Sequence, residues 1–202
     1  MQAEHLKKAM ASISAVIEAN IDYLTQLDSQ SGDGDLGISM SHGFCAVDQF
    51  LAESVETDMG QLLFLSSKEL NAAAPSSLGT ILSVALMGMA KSLRGKAVVS
   101  LEELTEAMRQ GVDSVMEKSG SKVGEKTVLD SIVPAIEAMA HAESVSDALD
   151  KAAKAAAAGA EHTRELKAVH GRAAYYGEKS IGLIDGGAVV GKLIFEALAQ
   201  CS

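Results

Sequence analysis

Helix formers fill this chain and helix breakers hardly interrupt it. Proline occurs only twice in 202 residues, tryptophan is absent, and aromatics make up 3%. Alanine and leucine dominate a hydrophobic content of 48%. Strong helix formers with so few breakers predict an all-α protein. No alternating run is long enough to require a strand, and no internal repeat or heptad run is present. At this length one domain, 1–202, is the default, and it can bury a core without staples.

Eight helical segments can be drawn, which predicts an up-and-down barrel or bundle. The first runs from about Ala3 to Leu27, with Ile13, Val16, Ile17, Ile21 and Leu24 at helical spacing. The second covers Ile38 to Ala52, and the third opens on Asp58 as N-cap and reaches about Ala73. Pro75 is placed in the first turn of a fourth helix ending near Leu93. Ser100 and Glu103 form a capping box for the fifth. The sixth spans about Thr127 to His141, and Ser144 or Ser146 caps an alanine-rich seventh to about Lys167. A connection from Ala168 to Gly187 follows, holding five glycines and the Tyr175–Tyr176 pair; the last helix runs from about Ala188 to Ala199. Met87, Met89, Met108, Met116 and Met139 read as core filling.

A formal net charge of −10 disfavours nucleic acid and anionic membrane as partners. Cys45 and Cys201 make neither a disulfide framework nor a metal-spaced pair, which points to a reduced, cytoplasmic setting. The polar N-terminus is not a signal peptide, and the apolar run from Ile81 to Ala90 is too short to span a bilayer.

Against this background one stretch stands out: Asp28-Ser-Gln-Ser-Gly32-Asp33-Gly34-Asp35-Leu36-Gly37. Its three carboxylates fall within eight residues, on a turn between two helices, and crowded carboxylates repel unless a cation sits among them. Hard oxygen donors at this density suit Mg²⁺, which completes its shell with phosphate and water. Gly32, Gly34 and Gly37 match the letters of the dinucleotide fingerprint, but no β-branched run precedes them. A calcium EF-hand starting at Asp33 or Asp28 needs a glutamate where Phe44 or Ser39 stands. A solvated Asp/Gly turn remains the plain alternative. Alternate connections of an up-and-down bundle share one end. Loops 28–37, 71–80, 119–130 and 168–187 are therefore predicted to converge, with both termini at the opposite end.

With these loops in hand the sequence resembles the nucleotide-binding L subunit of dihydroxyacetone kinases over essentially its whole length. The family's acidic loop, D-x4-G-D-[GA]-D-x-G, is matched by Asp28, Gly32, Asp33, Gly34, Asp35 and Gly37. Its late loop is followed by Gly171-Arg-Ala-Ala-Tyr-Tyr-Gly-Glu-Lys-Ser-Ile-Gly182 and Asp185-Gly-Gly-Ala188, and its G-D-K-T-M-x-D by Gly124-Glu-Lys-Thr-Val-Leu-Asp130. The resemblance implies an eight-helix barrel binding ADP or ATP at one end, with Asp28, Asp33 and Asp35 holding Mg²⁺. It implies a separate K-type subunit that carries a short ketose or triose. In the sugar-phosphotransferase version, a further M-type subunit rephosphorylates a resident ADP.

On this resemblance Arg172 steadies the β-phosphate or the transferred group, and Gly171, Asp185 and Gly186 belong to the nucleotide site. Gly124, Lys126 and Thr127 lie near the nucleotide, although a helix start explains Lys126 and Thr127 nearly as well. His42 and His170 have no spaced partner and read as surface or packing residues.

Departures from the family fall on the third helix's exit. Asn71-Ala-Ala-Ala-Pro75 replaces a glycine-rich phosphate loop, and the serine expected at Ala74 is missing. Amides at the start of the fourth helix, with Ser76, Ser77, Gly79 and Thr80, stand in as the phosphate-binding group. Leu36 and Ser39 also replace residues that are polar histidine or threonine, and asparagine, in the family. Two readings follow: a phosphotransferase subunit active with a partner, and a non-catalytic paralogue that binds nucleotide or a partner.

Overall fold

The computed structural model describes residues 1–140 and 142–201. Among them are nine α-helices and two 3₁₀ segments, with no strand. In chain order these are α1 (Ala3–Ala19), α2 (Ile21–Asp28), α3 (Leu36–Glu53), α4 (Met59–Ala73) and α5 (Ser77–Leu93). They continue as α6 (Leu101–Ser119), α7 (Leu129–Met139), α8 (Val145–His162) and α9 (Gly186–Ala199). The expected end of the sixth segment at His141 lies outside the described residues.

The expected first helix is two helices. Asn20 breaks it, with its side-chain amide donating to the Val16 carbonyl at 2.7 Å and its own ψ at 13°. That local bond competes with the regular ladder, as short amide side chains do. Because α2 packs on α3 and α9, the neighbours of α1, the up-and-down parity survives. Ring closure follows the chain: α1 packs on α3, then each helix on the next through α9, which returns to α1. The α6–α7 seam is the thinnest of the ring.

Caps at the helix starts mostly fall where the sequence puts them. The Asp58 carboxylate accepts from Gln61 N at 3.1 Å, and Ser144, rather than Ser146, caps α8 by accepting from Asp147 N at 3.2 Å. At α6 the reciprocal box is complete: Ser100 Oγ accepts from Glu103 N, and Glu103 accepts from Ser100 N at 2.8 Å. Lys96 adds a bond to Glu103 at 2.8 Å, and this pairing, with the Ser100 amide, holds the Glu103 carboxyl down to about 2. Ser100→Ala is expected to cost about 1 kcal/mol of stability, read by denaturant melts. A loss below a few tenths would mean the helix start does not depend on the cap. Pro75 lies two residues ahead of α5 rather than within its first turn. Ser76 takes the N-cap there, its hydroxyl accepting from Gly79 N at 3.1 Å.

Burial follows helical spacing. Met59, Leu62, Leu63 and Leu70 on α4 are at most 1% exposed, each contributing about 1.5–3 kcal/mol by removal from water. On α8 the stripe Ala148, Ala152, Ala156 and Ala160 lets α7 approach closely, and Ser131 Oγ on α7 donates to the Ala156 carbonyl at 3.1 Å. Eight helices about 8–10 Å apart enclose an axis wider than leucine and alanine side chains fill. An apolar cavity of about 110 Å³ remains there, lined by Phe44, Met89, Met108 and Phe195 among others. Met139 is buried as expected, but Met87 is 39% exposed and fills no core.

Loops 29–35, 74–76, 120–128 and 163–185 therefore lie at one end. Both termini lie at the other: Val99 N, between α5 and α6, donates to the Met1 carbonyl at 2.9 Å, and the Cys201 thiol reaches Lys8 O. No helix among the described residues is long and apolar enough to cross a membrane.

Candidate functional site

At the loop end the chain folds Asp28, Asp33 and Asp35 together. One carboxylate oxygen from each lies within 4.8 Å of the others, with Asp28 half-buried and the other two exposed. Asp28 closes the turn. Its Oδ2 accepts from Gly34 N at 2.8 Å and from Asp35 N at 3.1 Å. Glycine is required at two places here. A Cβ on Gly32 would lie 2.1 Å from Asp28 Oδ1, and Gly34 has φ +76°. Burial raises the Asp35 pKa most, and the charges of Asp33 and Asp28 raise it further while Arg172 opposes them. Such a set of crowded hard donors fits a divalent cation of the Mg²⁺ type.

Arg172 arrives from the α8–α9 connection, brought beside the acidic turn because α9 packs on α1 and α2. It opens the 3₁₀ segment Arg172–Ser180 inside the long connection, which is kinked at Gly177, and its guanidinium ion-pairs with Asp33. Gly171 ahead of it has φ +64°. Tyr175, one turn of this segment on, is 92% exposed, so the segment presents an aromatic to solvent rather than to the core.

Four helix N-termini, those of α3, α5, α7 and α9, meet at this end. Ser39 Oγ on α3 bonds Ser76 Oγ, the α5 cap, at 2.9 Å. Leu36 on α3 touches Gly186 at the start of α9, where a Cβ would lie 2.6 Å from its Cδ2. Gly187 in turn lies against Val128 before α7. Positive helix ends and unpaired amides gathered in this way favour a polyanion. Ser77 and Thr80 are exposed on the first turn of α5, and Gly79 is buried beneath them. The hydroxyl of Ser76 is already engaged by Gly79 N and Ser39, so it serves the helix as cap.

Several of the expected residues are bonded within the protein. Lys126 is 4% exposed and its ammonium is taken by the carbonyls of Thr163, Leu166 and Leu183, so it clamps loops. Thr127 N donates to Asp130 Oδ2 at 2.7 Å and Gly124 N to Asp130 Oδ1 at 2.5 Å; the buried Asp130 thus organises this turn. Asp185 caps α9, accepting from Ala188 N at 2.7 Å. Burial is the chief cause that pushes its carboxyl up to about 6, with that amide and Lys126 pulling it back.

His42 is exposed, as expected, but His170 has a partner after all. Its Nε2 lies 2.6 Å from Glu125 Oε2, across 45 residues of chain, and this bond lowers the Glu125 pKa. Only the tertiary arrangement supplies that partner; nothing in local spacing marks it.

This end of the barrel, with its acidic turn and late arginine segment, has relatives. Residues 30–200 match the DAK2 domain family. The ADP-binding subunit DhaL of the PEP-dependent dihydroxyacetone kinase of Escherichia coli (strain K12) is 31% identical over 188 residues, covering 91% of this chain and 90% of that protein. The corresponding subunit of dihydroxyacetone kinase 1 of Listeria innocua is 30% identical over 184 residues, covering 91% and 89%. Mouse triokinase/FMN cyclase is 30% identical, but this chain spans only 32% of it.

Among solved structures, the dihydroxyacetone kinase of C. freundii in its native form superposes with a TM-score of 0.79 at 22% identity, over 97% of this chain and 34% of that one. The same kinase in complex with AMP-PNP and Mg²⁺ gives 0.78. Over the matched third of their length, these structures share the helical fold of this chain. From the extent of the family match and the full-length similarity to kinase subunits, the chain belongs to the DAK2 domain family.

Proposed function

We propose that the whole chain, 1–202, is the nucleotide-binding subunit of a dihydroxyacetone-kinase-type phosphotransferase of the cytoplasm. In this reading it holds ADP or ATP with Mg²⁺ and passes a phosphoryl group to a short sugar, dihydroxyacetone or similar, bound on a separate K-type subunit. The observation that carries it is the trio of carboxylates packed within 4.8 Å at an end where four helix N-termini meet. Relatives named as ADP-binding subunits at about 30% identity support the same reading. The relatives named as PEP-dependent make an M-type phosphotransferase-system subunit a reasonable second partner.

Phosphoryl transfer asks the protein for alignment and charge neutralisation more than for covalent chemistry. Asp28, Asp33 and Asp35 would hold the metal, which when bound offsets the negative charge of the phosphates. Amides at the starts of α5 and α9 would bind phosphate oxygens, with Ser77, Gly79, Thr80 and Gly186 in those turns. Arg172, beside Asp33, would lay its planar fork on the β-phosphate or the group in transfer. Gly124 and Gly171 would let the flanking loops approach the nucleotide.

An acidic turn cannot hold a polyphosphate unaided, so ADP binding should need the metal. Calorimetric titration is expected to give tight binding with magnesium and little with a chelator; equal affinity in both would remove the aspartates from the site. No group here is assigned to hold the acceptor, so the purified chain with ATP and dihydroxyacetone is expected to be inactive until a K-type subunit is added. Turnover by the chain alone would contradict this.

A specific feature favours a second reading, a binding paralogue without transfer activity. The Ser76 hydroxyl, the nearest replacement for the lost phosphate-loop serine, is engaged by Gly79 and Ser39. Tight Mg-ADP binding without any activity beside a K-type partner would select it.

A further inference from the structure

Among the described residues Lys126 is the one non-glycine position with positive φ, at +62°. It is also buried, at 4% exposure. A lysine in that conformation is strained and persists only where its surroundings hold it. Asp130 supplies one hold, accepting from Gly124 N and Thr127 N on either side of it. The ammonium supplies the other. It donates to Thr163 O at 2.6 Å, to Leu166 O at 3.3 Å and to Leu183 O, which uses all three of its protons.

Those carbonyls lie on two different legs. Thr163 and Leu166 are on the strand of chain leaving α8, and Leu183 is on the return towards α9. The legs are bonded to each other nearby: Gly182 N donates to Arg164 O at 2.7 Å, and Ala168 N to Ser180 Oγ at 2.9 Å. Beyond this base the excursion carries Arg172, whose guanidinium meets Asp33.

We propose that Lys126 is a positioning residue: its ammonium ties the two legs of the 163–185 connection at their base and so sets where Arg172 stands against the acidic turn. It does this without touching nucleotide, because its donors are all satisfied by main-chain carbonyls. The effect on nucleotide binding rests on the function proposed above; the effect on the loop does not.

The test uses the full-length chain with Lys126→Met, which keeps the side chain's outline and removes the charge. Hydrogen exchange of the nucleotide-free protein is expected to quicken at amides 168–182 by at least about tenfold, with the α4 and α5 amides unchanged. Arg172→Ala, which leaves the base intact, is expected not to reproduce it. Calorimetric titration with Mg-ADP is expected to show at least about tenfold weaker binding for Lys126→Met. The double variant with Arg172→Ala should bind no worse than Arg172→Ala alone, the signature of two residues acting through one group. Unchanged exchange in Lys126→Met, or penalties that simply add, would overturn the proposal. Failure of the unsubstituted chain to bind Mg-ADP would sink the nucleotide reading instead, and exchange alone would then decide the clamp. Should Lys126→Met not fold, Lys126→Gly removes the ammonium while relaxing the positive φ, and is judged by the same measurements.

Discussion

Alanine at position 28 is expected to weaken Mg-ADP binding by at least about a hundredfold, roughly 2.7 kcal/mol, against about tenfold for Asp33→Asn. The difference comes from what each carboxylate does besides carrying charge. Asp28 accepts from the amides of Gly34 and Asp35, so its loss removes a metal donor and also releases the turn that aims the other two. Hydrogen bonds to a charged acceptor each contribute about 1.5–3 kcal/mol, part of which water restores at this half-open site. Asp33 makes no such bond. Its replacement by asparagine keeps the shape, removes one negative charge from the donor set and breaks the ion pair with Arg172.

Both members of that ion pair are well exposed, with side chains 62% and 43% accessible. Losing it costs the metal-free protein at most about 1 kcal/mol, and relief of repulsion from Asp35 and Asp28 works in the opposite direction. The Asp33→Asn protein without ligand should therefore melt close to the parent. Calorimetric titrations and thermal melts of both variants check this. Equal affinity losses would mean that Asp28 acts as a charge and nothing more.

Asp185 should give the protein a stability that falls as the solution is taken from pH 4 to pH 7. Its carboxyl is pushed up to about 6 in the folded protein from an ordinary 3.8, chiefly by burial. Between these values the folded chain holds a proton that the unfolded chain has released, so stability declines with rising pH. The contribution is complete below about 3.8 and lost as pH passes through about 6. Its size is of the order of 1–3 kcal/mol, the lower part of that range applying because the side chain is not wholly sealed from water.

Asp185→Asn keeps an acceptor for Ala188 N and a good N-cap for α9, and it cannot ionise. That variant should lose this slope and be at least as stable as the parent at pH 7. Urea midpoints across this pH range measure it. A less stable variant at pH 7 would mean that the attraction between the Asp185 carboxylate and Lys126 outweighs burial.

How far could such a molecule be read before it was seen? Helix content, the parity of the connections and the caps at Asp58, Ser100 and Ser144 were legible, because each depends on residues within one or two turns of each other. Side chains at i, i+3 and i+4 share a face whatever the rest of the chain does. The acidic turn belongs in the same class, since Asp28 reaches Gly34 and Asp35 across six and seven residues. Even local reading slipped where two short-range bonds competed. Asn20 chose the Val16 carbonyl over a straight helix, and Ser76 took the cap that left Pro75 outside α5.

Partners far apart in sequence were not legible. Lys126 reads from its motif as a residue near the nucleotide or a helix start, and the carbonyls it bonds lie 37, 40 and 57 residues away. His170 reads as solitary until Glu125 is brought beside it. Arg172 stands opposite Asp33 only because the closed ring carries the last connection back over the first. The sequence by itself determined the helices, their alternation and the acidic turn, since short-range sterics and hydrogen bonding decide those. Which carbonyls the buried lysine meets, and which carboxylate the arginine meets, was left to tertiary structure: long flexible side chains bond to whatever the packing of the barrel sets within their reach.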